Sequence, residues 1–255
     1  VDGGTYNPSD YLAWDHILMT HKTDGKSKYR SSYDALTHIH DYNIDIDKRE
    51  IYLFGREETK SGTNDGDDIT SEPGVDFMMA NQFIKNIRIL QSVSSDPILI
   101  HMKTCGGMWT EGMAIYDAIK ACPNYVVILN YTHARSMSSI ILQAADWRAM
   151  MPYSTFMFHQ GTQGFEGTKT QFQTEYEQTQ ISVRQMLDIY AGSMTESVLH
   201  GKKSPAQRRK WLSDKMLKHE DVYLSAQEAI DHGFADQVFG KDNSYDWSAL
   251  RVKGA

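Results

Sequence analysis

The sequence predicts an α/β fold organised around a largely parallel sheet. Short apolar runs rich in β-branched residues occur at Glu50–Phe54, Ile98–Met102, Tyr125–Leu129 and Thr155–Phe158. Stretches of helical periodicity separate them, and each gap is long enough for the crossover that joins parallel strands. A third observation concerns the second half: Thr168 to Tyr190 holds neither proline nor glycine over 23 residues. As one helix that stretch would run about 34 Å at 1.5 Å per residue.

Taken in chain order, the first 48 residues are the least patterned. Tyr11–Trp14 and Ile17–Met19 suit a short helix started by Ser9 or Asp10, and Lys22–Ser32 is polar and loop-like. Asp41–Lys48 alternates weakly toward the first strand, Glu50–Phe54, which Gly55 ends. Arg56–Gly74 is a polar run with three glycines, long for a loop in a compact domain. Val75–Gln91 carries Met79, Phe83, Ile87 and Leu90 on one helical stripe; Asp96-Pro97 breaks the chain before Ile98–Met102. The Gly106-Gly107 turn leads to a helix over about Thr110–Lys120. Next are the strand Tyr125–Leu129, a helix over Met137–Ala145, a short strand near Ala149–Met151 and, after Pro152, the strand Thr155–Phe158. The long helix follows, diluted by glutamine and threonine, so it is expected to protrude or to meet a partner. Ser204-Pro205 opens a second helix within Gly201–Glu220. Ser225 with Glu228 forms a capping box for a short helix that Gly233 ends, before Asp236–Phe239. The expected layout is an extension at 1–48, a main domain at 49–240 and a tail at 241–255.

Composition narrows the function. At 255 residues and 40% hydrophobic content the chain can bury a full core without disulfides. A net charge of -7 disfavours a phosphate-rich partner, so no nucleic acid is expected. The cluster Lys202, Lys203, Arg208, Arg209 and Lys210 reads as a solvated helix face. Two cysteines make no disulfide framework, and Cys105 reads as a space-filler within a glycine turn. Residues 1–50 lack a basic start followed by an apolar stretch, and no window is apolar enough to span a bilayer. A cytoplasmic chain without membrane contact is expected. His16, His21, His38 and His40 lack a metal-binding spacing, and Gly106-Gly107 forms no dinucleotide or phosphate-loop fingerprint, so neither metal nor cofactor is expected.

The residues that carry chemistry are a serine and a histidine. Asn130–Ser139 places Ser136 where a strand gives way to a helix, with the N–H of Met137 in the first turn. His159 ends the apolar strand Ser154–Phe158, within reach of a serine hydroxyl in a parallel sheet. Thr104–Gly107 is a tight turn able to aim N–H groups at an oxyanion. A serine nucleophile needs a base, an acid to orient it and oxyanion donors. Ser138 and Ser139 rival Ser136, which also suits a plain helix cap, and His159 also suits a core position. The acid stays open among Asp146, Asp188, Asp214 and Asp221, the last read as a loop residue.

From Ile51 to Phe239 the chain resembles the proteolytic subunit of Clp protease, the ClpP family of serine peptidases with a crotonase-like α/β fold. Arg49–Gly55 matches its opening strand and Lys103-Thr-Cys-Gly-Gly107 its Asn-Ser-Pro-Gly-Gly turn. Gly112-Met-Ala-Ile-Tyr-Asp117 matches the segment after that turn. Thr132-His-Ala-Arg-Ser136-Met137 looks like the nucleophile motif, and Met157-Phe-His159-Gln160 looks like the base motif. Asp221-Val-Tyr-Leu-Ser-Ala-Gln-Glu-Ala229, continued by Gly233 and Asp236, looks like the acid motif. The resemblance implies Ser136 as nucleophile, His159 as base, Asp221 as orienting acid, and Gly107 and Met137 as oxyanion donors. It also implies a peptide or unfolded-protein substrate, a homo-oligomeric ring, single or paired, and a protruding handle over about 160–218.

Departures from the pattern are informative. Thr132 and Arg135 replace a glycine and an alanine before the serine, and Cys105 replaces the proline of the turn. Arg135 is a large cation able to narrow the pocket or to bind an acidic substrate side chain. The segments Arg56–Gly74 and His159–Asp221 are longer than usual, and residues 1–48 do not resemble the family's axial-loop segment. An ATP-dependent unfoldase partner is therefore unsupported. The divergence is similar to that of phage-encoded ClpP-like proteases. A catalytically silent structural subunit and a crotonase-like acyl-thioester enzyme are the alternatives.

Overall fold

A computed structural model describes residues 32–55, 74–162 and 164–241, with Tyr245, Trp247 and Leu250 of the tail. The helix expected near residues 11–19 and the polar loop at 56–73 lie outside the described residues. The elements in order are α1 (Ser32–Tyr42), β1 (Ile44–Asp45), β2 (Glu50–Phe54), α2 (Phe77–Val93), β3 (Ile98–Thr104) and α3 (Trp109–Lys120). They continue with β4 (Val126–Arg135), α4 (Met137–Leu142), β5 (Trp147–Met150), β6 (Thr155–Phe158), α5 (Lys169–Ser193) and α6 (Pro205–His219). β7 (Val222–Ser225), α7 (Ala226–His232) and β8 (Gln237–Val238) complete the described residues.

The strands form one eight-stranded sheet, mainly parallel, with the path β1-β2-β3-β4-β5-β8. β6 joins β4 in parallel and pairs antiparallel with β7; β1 and β2 form the other antiparallel pair. The central strands read as unbroken apolar runs because both faces are covered. Ile98, Ile100 and Met102 of β3, with Val126 and Ile128 of β4, enter the larger core beneath Ile87, Leu90, Ile115 and Ile119 of α2 and α3. The alternate residues Leu99, Val127 and Leu129 meet Ala149, Phe239 and Leu250 on the other face.

Three local differences from the sequence expectation have physical causes. β4 runs on to Arg135 instead of ending at Leu129. Its first half pairs with β5 and its second half with β6, and a bulge opposite β3 sets Met102 against Asn130 but Thr104 against Ala134. The polar stretch 130–135 is thus held by partners rather than by its own composition. β7 falls where the sequence suggested no strand, because four residues are too short to show a period; Asp221 itself lies in the bend before it, a loop position as expected. α1 and β1 lie inside the expected N-terminal extension, where the amide of Asn86 on α2 donates to Tyr42 O and that of Asn43 donates to Gln82.

Buried Arg49 ties β2 to the end of α2: its guanidinium donates to the carbonyls of Leu90, Ser94, Asp96 and Pro97. Those carbonyls lie at and beyond a helix C-terminus, where a cation is favoured. The long helix α5 starts with a reciprocal Thr168–Gln171 capping box. Residues 164–178 are exposed, whereas the last turns bury Met186, Tyr190 and Ala191. The protruding half is therefore mostly polar, apart from exposed Phe172 and Tyr176, and the docked half apolar.

His200 and His232 stack beside Trp211 at the foot of this region. The Lys203 ammonium, which only donates, lies 2.9 Å from His200 Nδ1. Nε2 of His200 therefore carries the proton and donates to His232 Nδ1 at 2.7 Å, with both rings neutral. Burial, followed by the charges of Lys203, His232 and Arg208, pushes the His200 pKa down to about 4; burial first, then Lys215, also lowers that of His232. An unfolded histidine titrates near ~6.5, so between that pH and about 4 the unfolded chain holds more protons. Stability from His200 is full above the unfolded value and declines as pH falls through this window. Melting temperatures from neutral pH to the low end of the window are expected to fall more steeply for the native chain than for His200→Phe; parallel slopes would rule the pair out as the source.

Candidate active site

The register around β6 assembles the site. β4 pairs with β6 so that Arg135 lies opposite Met157, and the N–H of Ser136 donates to Met157 O at 3.1 Å. β7 pairs with the other edge of β6, with Phe158 opposite Val222. One step further in that antiparallel register, His159 faces Asp221. Ser136 at the end of β4, His159 after β6 and Asp221 before β7 are therefore neighbours on three strands. His159 Nε2 lies 2.8 Å from Ser136 Oγ, and Nδ1 lies 2.9 Å from Asp221 Oδ1. An ionised carboxylate only accepts, so Nδ1–H donates to Asp221 and Nε2 accepts from the serine hydroxyl. His159 is 22% exposed and Asp221 46%.

Ser136 has φ 50° and ψ −125°, an unusual conformation for a residue with a Cβ. The surroundings over-determine it. Ser138 Oγ lies 2.7 Å from both Thr104 O and Arg135 O, joining the ends of β3 and β4. Ser139 Oγ donates to Ser136 O at 2.6 Å, so its hydroxyl must accept from Tyr190 OH, also 2.6 Å away. Tyr190 is fully buried against Phe156, Phe158 and Phe234, and burial pushes its phenol pKa up. The two rival serines are thus buried bracing groups with engaged hydroxyls.

The glycine turn packs directly on this bend. Gly106 has φ 98°, and a Cβ there would sit 2.6 Å from Arg135 O and 2.8 Å from Ser136 Cβ. Gly107 pairs with Val75, and a Cβ on it would fall 2.4 Å from the Val75 backbone. Only glycine lets these backbones approach so closely. Met137 opens α4 at the position whose N–H has no carbonyl one turn earlier. Among the described residues, no backbone carbonyl takes the N–H of Gly107 or of Met137.

The remaining acid candidates lie elsewhere. Asp146 accepts from the Val126 N–H, Asp188 pairs with Arg209 and Asp214 pairs with Lys210. Composition and local pattern did not separate these four; the β6–β7 register does. Among the described residues no cluster of three metal-ligating side chains occurs, and no helix is long and apolar enough to cross a membrane.

Fold and site define an α/β protein carrying a serine–histidine–aspartate hydrogen-bond chain at a strand-to-helix bend. The Clp protease family profile matches residues 62–242. The ATP-dependent Clp protease proteolytic subunit 2 of Pseudomonas aeruginosa is 26% identical over 167 residues, 65% of this chain and 77% of its own. Proteolytic subunit 1 of Corynebacterium jeikeium is 30% identical over 169 residues, 64% of this chain and 82% of its own. A solved ClpP1 mutant from Listeria monocytogenes shares the fold with a TM-score of 0.61 at 20% identity, covering 84% of this chain and 99% of that one. The chain belongs to the Clp protease family.

If Tyr190 braces the bend through Ser139, Tyr190→Phe removes one buried hydrogen bond and little volume. A loss of about 1 kcal/mol is expected, seen as a melting temperature lower by roughly 2–4 °C. An unchanged melting curve would show that the hydroxyl carries no load.

Proposed function

We propose that this chain is a serine endopeptidase that cleaves peptides or unfolded proteins inside a chamber formed by a ring of its own copies. The observation that carries this reading is the continuous chain of hydrogen bonds from Ser136 Oγ through His159 to Asp221. Ser136 Oγ attacks the peptide carbonyl while His159 Nε2 takes its proton. Asp221 holds the other ring proton on Nδ1 and stabilises the imidazolium as it forms. The N–H groups of Gly107 and Met137 receive the negative oxygen of the tetrahedral intermediate. His159 then hands its proton to the departing amine, and water repeats the sequence on the acyl-serine. No cofactor enters these steps.

Family membership supports the ring, and the surface supports self-association. Tyr153 is 99% exposed, Val198 88% and Leu217 79%, while Phe172, Tyr176 and Ile181 are exposed along α5. Side chains of this size and polarity are what a second copy would cover. The curated relatives are named as ATP-dependent. An ATP-dependent unfoldase partner gains no support from residues 1–48, which do not resemble the segment that would serve one. A cytoplasmic location follows from the likeness to bacterial relatives.

The test is intact mass after fluorophosphonate treatment of the native chain and Ser136→Ala, with light scattering on the same samples. One adduct on the native oligomer and none on the variant is the expected result. A properly assembled native oligomer that stays unlabelled would sink the reading and leave a silent structural subunit.

A further inference from the structure

Arg135 stands immediately before Ser136, and the sheet register says what it faces. Arg135 lies opposite Met157, and Met157 lies opposite Tyr223. Paired residues share a face, and so do residues two apart on one strand. Arg135, Met157 and Tyr223 therefore form a row on the face that also carries His159 and Asp221. The two rows lie about 7 Å apart, two strand residues at 3.3 Å each. Met157 belongs to neither apolar core and is only 6% exposed. The Arg135 guanidinium carbon sits 5.9 Å from the centroid of the Tyr223 ring, which is itself 54% exposed. At that distance the cation lies over an aromatic face, within cation–π range.

The guanidinium is under-used where it lies. Its Nε is buried and has no hydrogen-bond partner among the described residues, and no carboxylate there forms an ion pair with it. Buried donors are nearly always satisfied, and the planar fork of arginine matches a carboxylate best. An extended peptide advances about 3.3 Å per residue, so a chain with its scissile carbonyl at Ser136 brings a neighbouring side chain or chain end over this row.

We propose that Arg135, seated on Tyr223, is a specificity subsite for a carboxylate of the peptide substrate beside the bond to be cleaved. The carboxylate belongs either to an Asp or Glu side chain or to the end of the peptide. This rests on the endopeptidase reading above and adds a substrate class to it.

The test uses four quenched fluorescent peptides identical except for Glu or Gln beside the scissile bond and a free or amidated C-terminus. They are assayed with the native assembled chain, Arg135→Ala and Arg135→Gln. The native chain is expected to prefer the carboxylate peptide, and the preference ratio in kcat/KM to fall about ten- to hundred-fold in both variants. Whichever peptide pair shows the loss identifies the source, Glu against Gln or acid against amide. A native chain indifferent to all four, or variants that keep the native ratio, would overturn the subsite. Fluorophosphonate labelling of Ser136 in the same samples separates the two failures. Labelling without discrimination removes only the subsite; no labelling of the native assembly removes the peptidase reading and the subsite with it.

Discussion

The register of β6 between two unlike neighbours is the constraint on which the site depends. β4 meets it in parallel and β7 antiparallel, and three separate chain ends, Ser136, His159 and Asp221, then fall side by side. A slip of one residue between β6 and β7 would turn every side chain of the slipped strand to the opposite face. Val222 and Leu224 would leave the core and Tyr223 would enter it, so burial of those two aliphatic side chains protects the alignment of His159 with Asp221. The geometry of a few polar atoms is thus maintained by the hydrophobic pattern of a four-residue strand.

A second layer of support runs underneath. The bend at Ser136 is strained, and its carbonyl is held by Ser139, which is held in turn by Tyr190 from the long helix. Tyr190 packs edge-on against Phe156 and Phe234, and those two rings stack 4.7 Å apart. The docked half of α5 is therefore continuous with the backing of the serine. The exposed half shares none of these contacts, which is why one helix can be apolar at its end and polar along its first turns.

Much of the frame could be read locally. Strands covered on both faces show as apolar runs, Ser204-Pro205 opens its helix as expected, and the Ser225–Glu228 cap is hydrogen-bonded as its spacing suggests. Ser136 and Asp221, named from motifs, each lie within hydrogen-bonding distance of His159, named in the same way. What local pattern could not reach depends on partners distant in sequence. The second half of β4 is polar and is a strand only because β6 lies beside it. The end of α1 is tied down by Asn86, far along the chain. That Asp221, and not Asp146, Asp188 or Asp214, stands against His159 was undecidable by spacing because it follows from a strand pairing. The roles of Ser138 and Ser139 were hidden in the same way, since their acceptors and donors lie on β3 and α5.

In the proposed ring, exposure would link assembly to chemistry. In a single copy Asp221 is nearly half exposed, and the turn before it is strained, with Glu220 at φ 58°. Water beside a carboxylate weakens its attraction for an imidazolium, because the interaction scales inversely with the local dielectric. A neighbouring surface over Asp221 would strengthen that attraction without moving any atom of the site. The same cover would lower the dielectric around Arg135 and increase its demand for a carboxylate partner. Enclosure of this face by a second copy would therefore act on His159 and on Arg135 together.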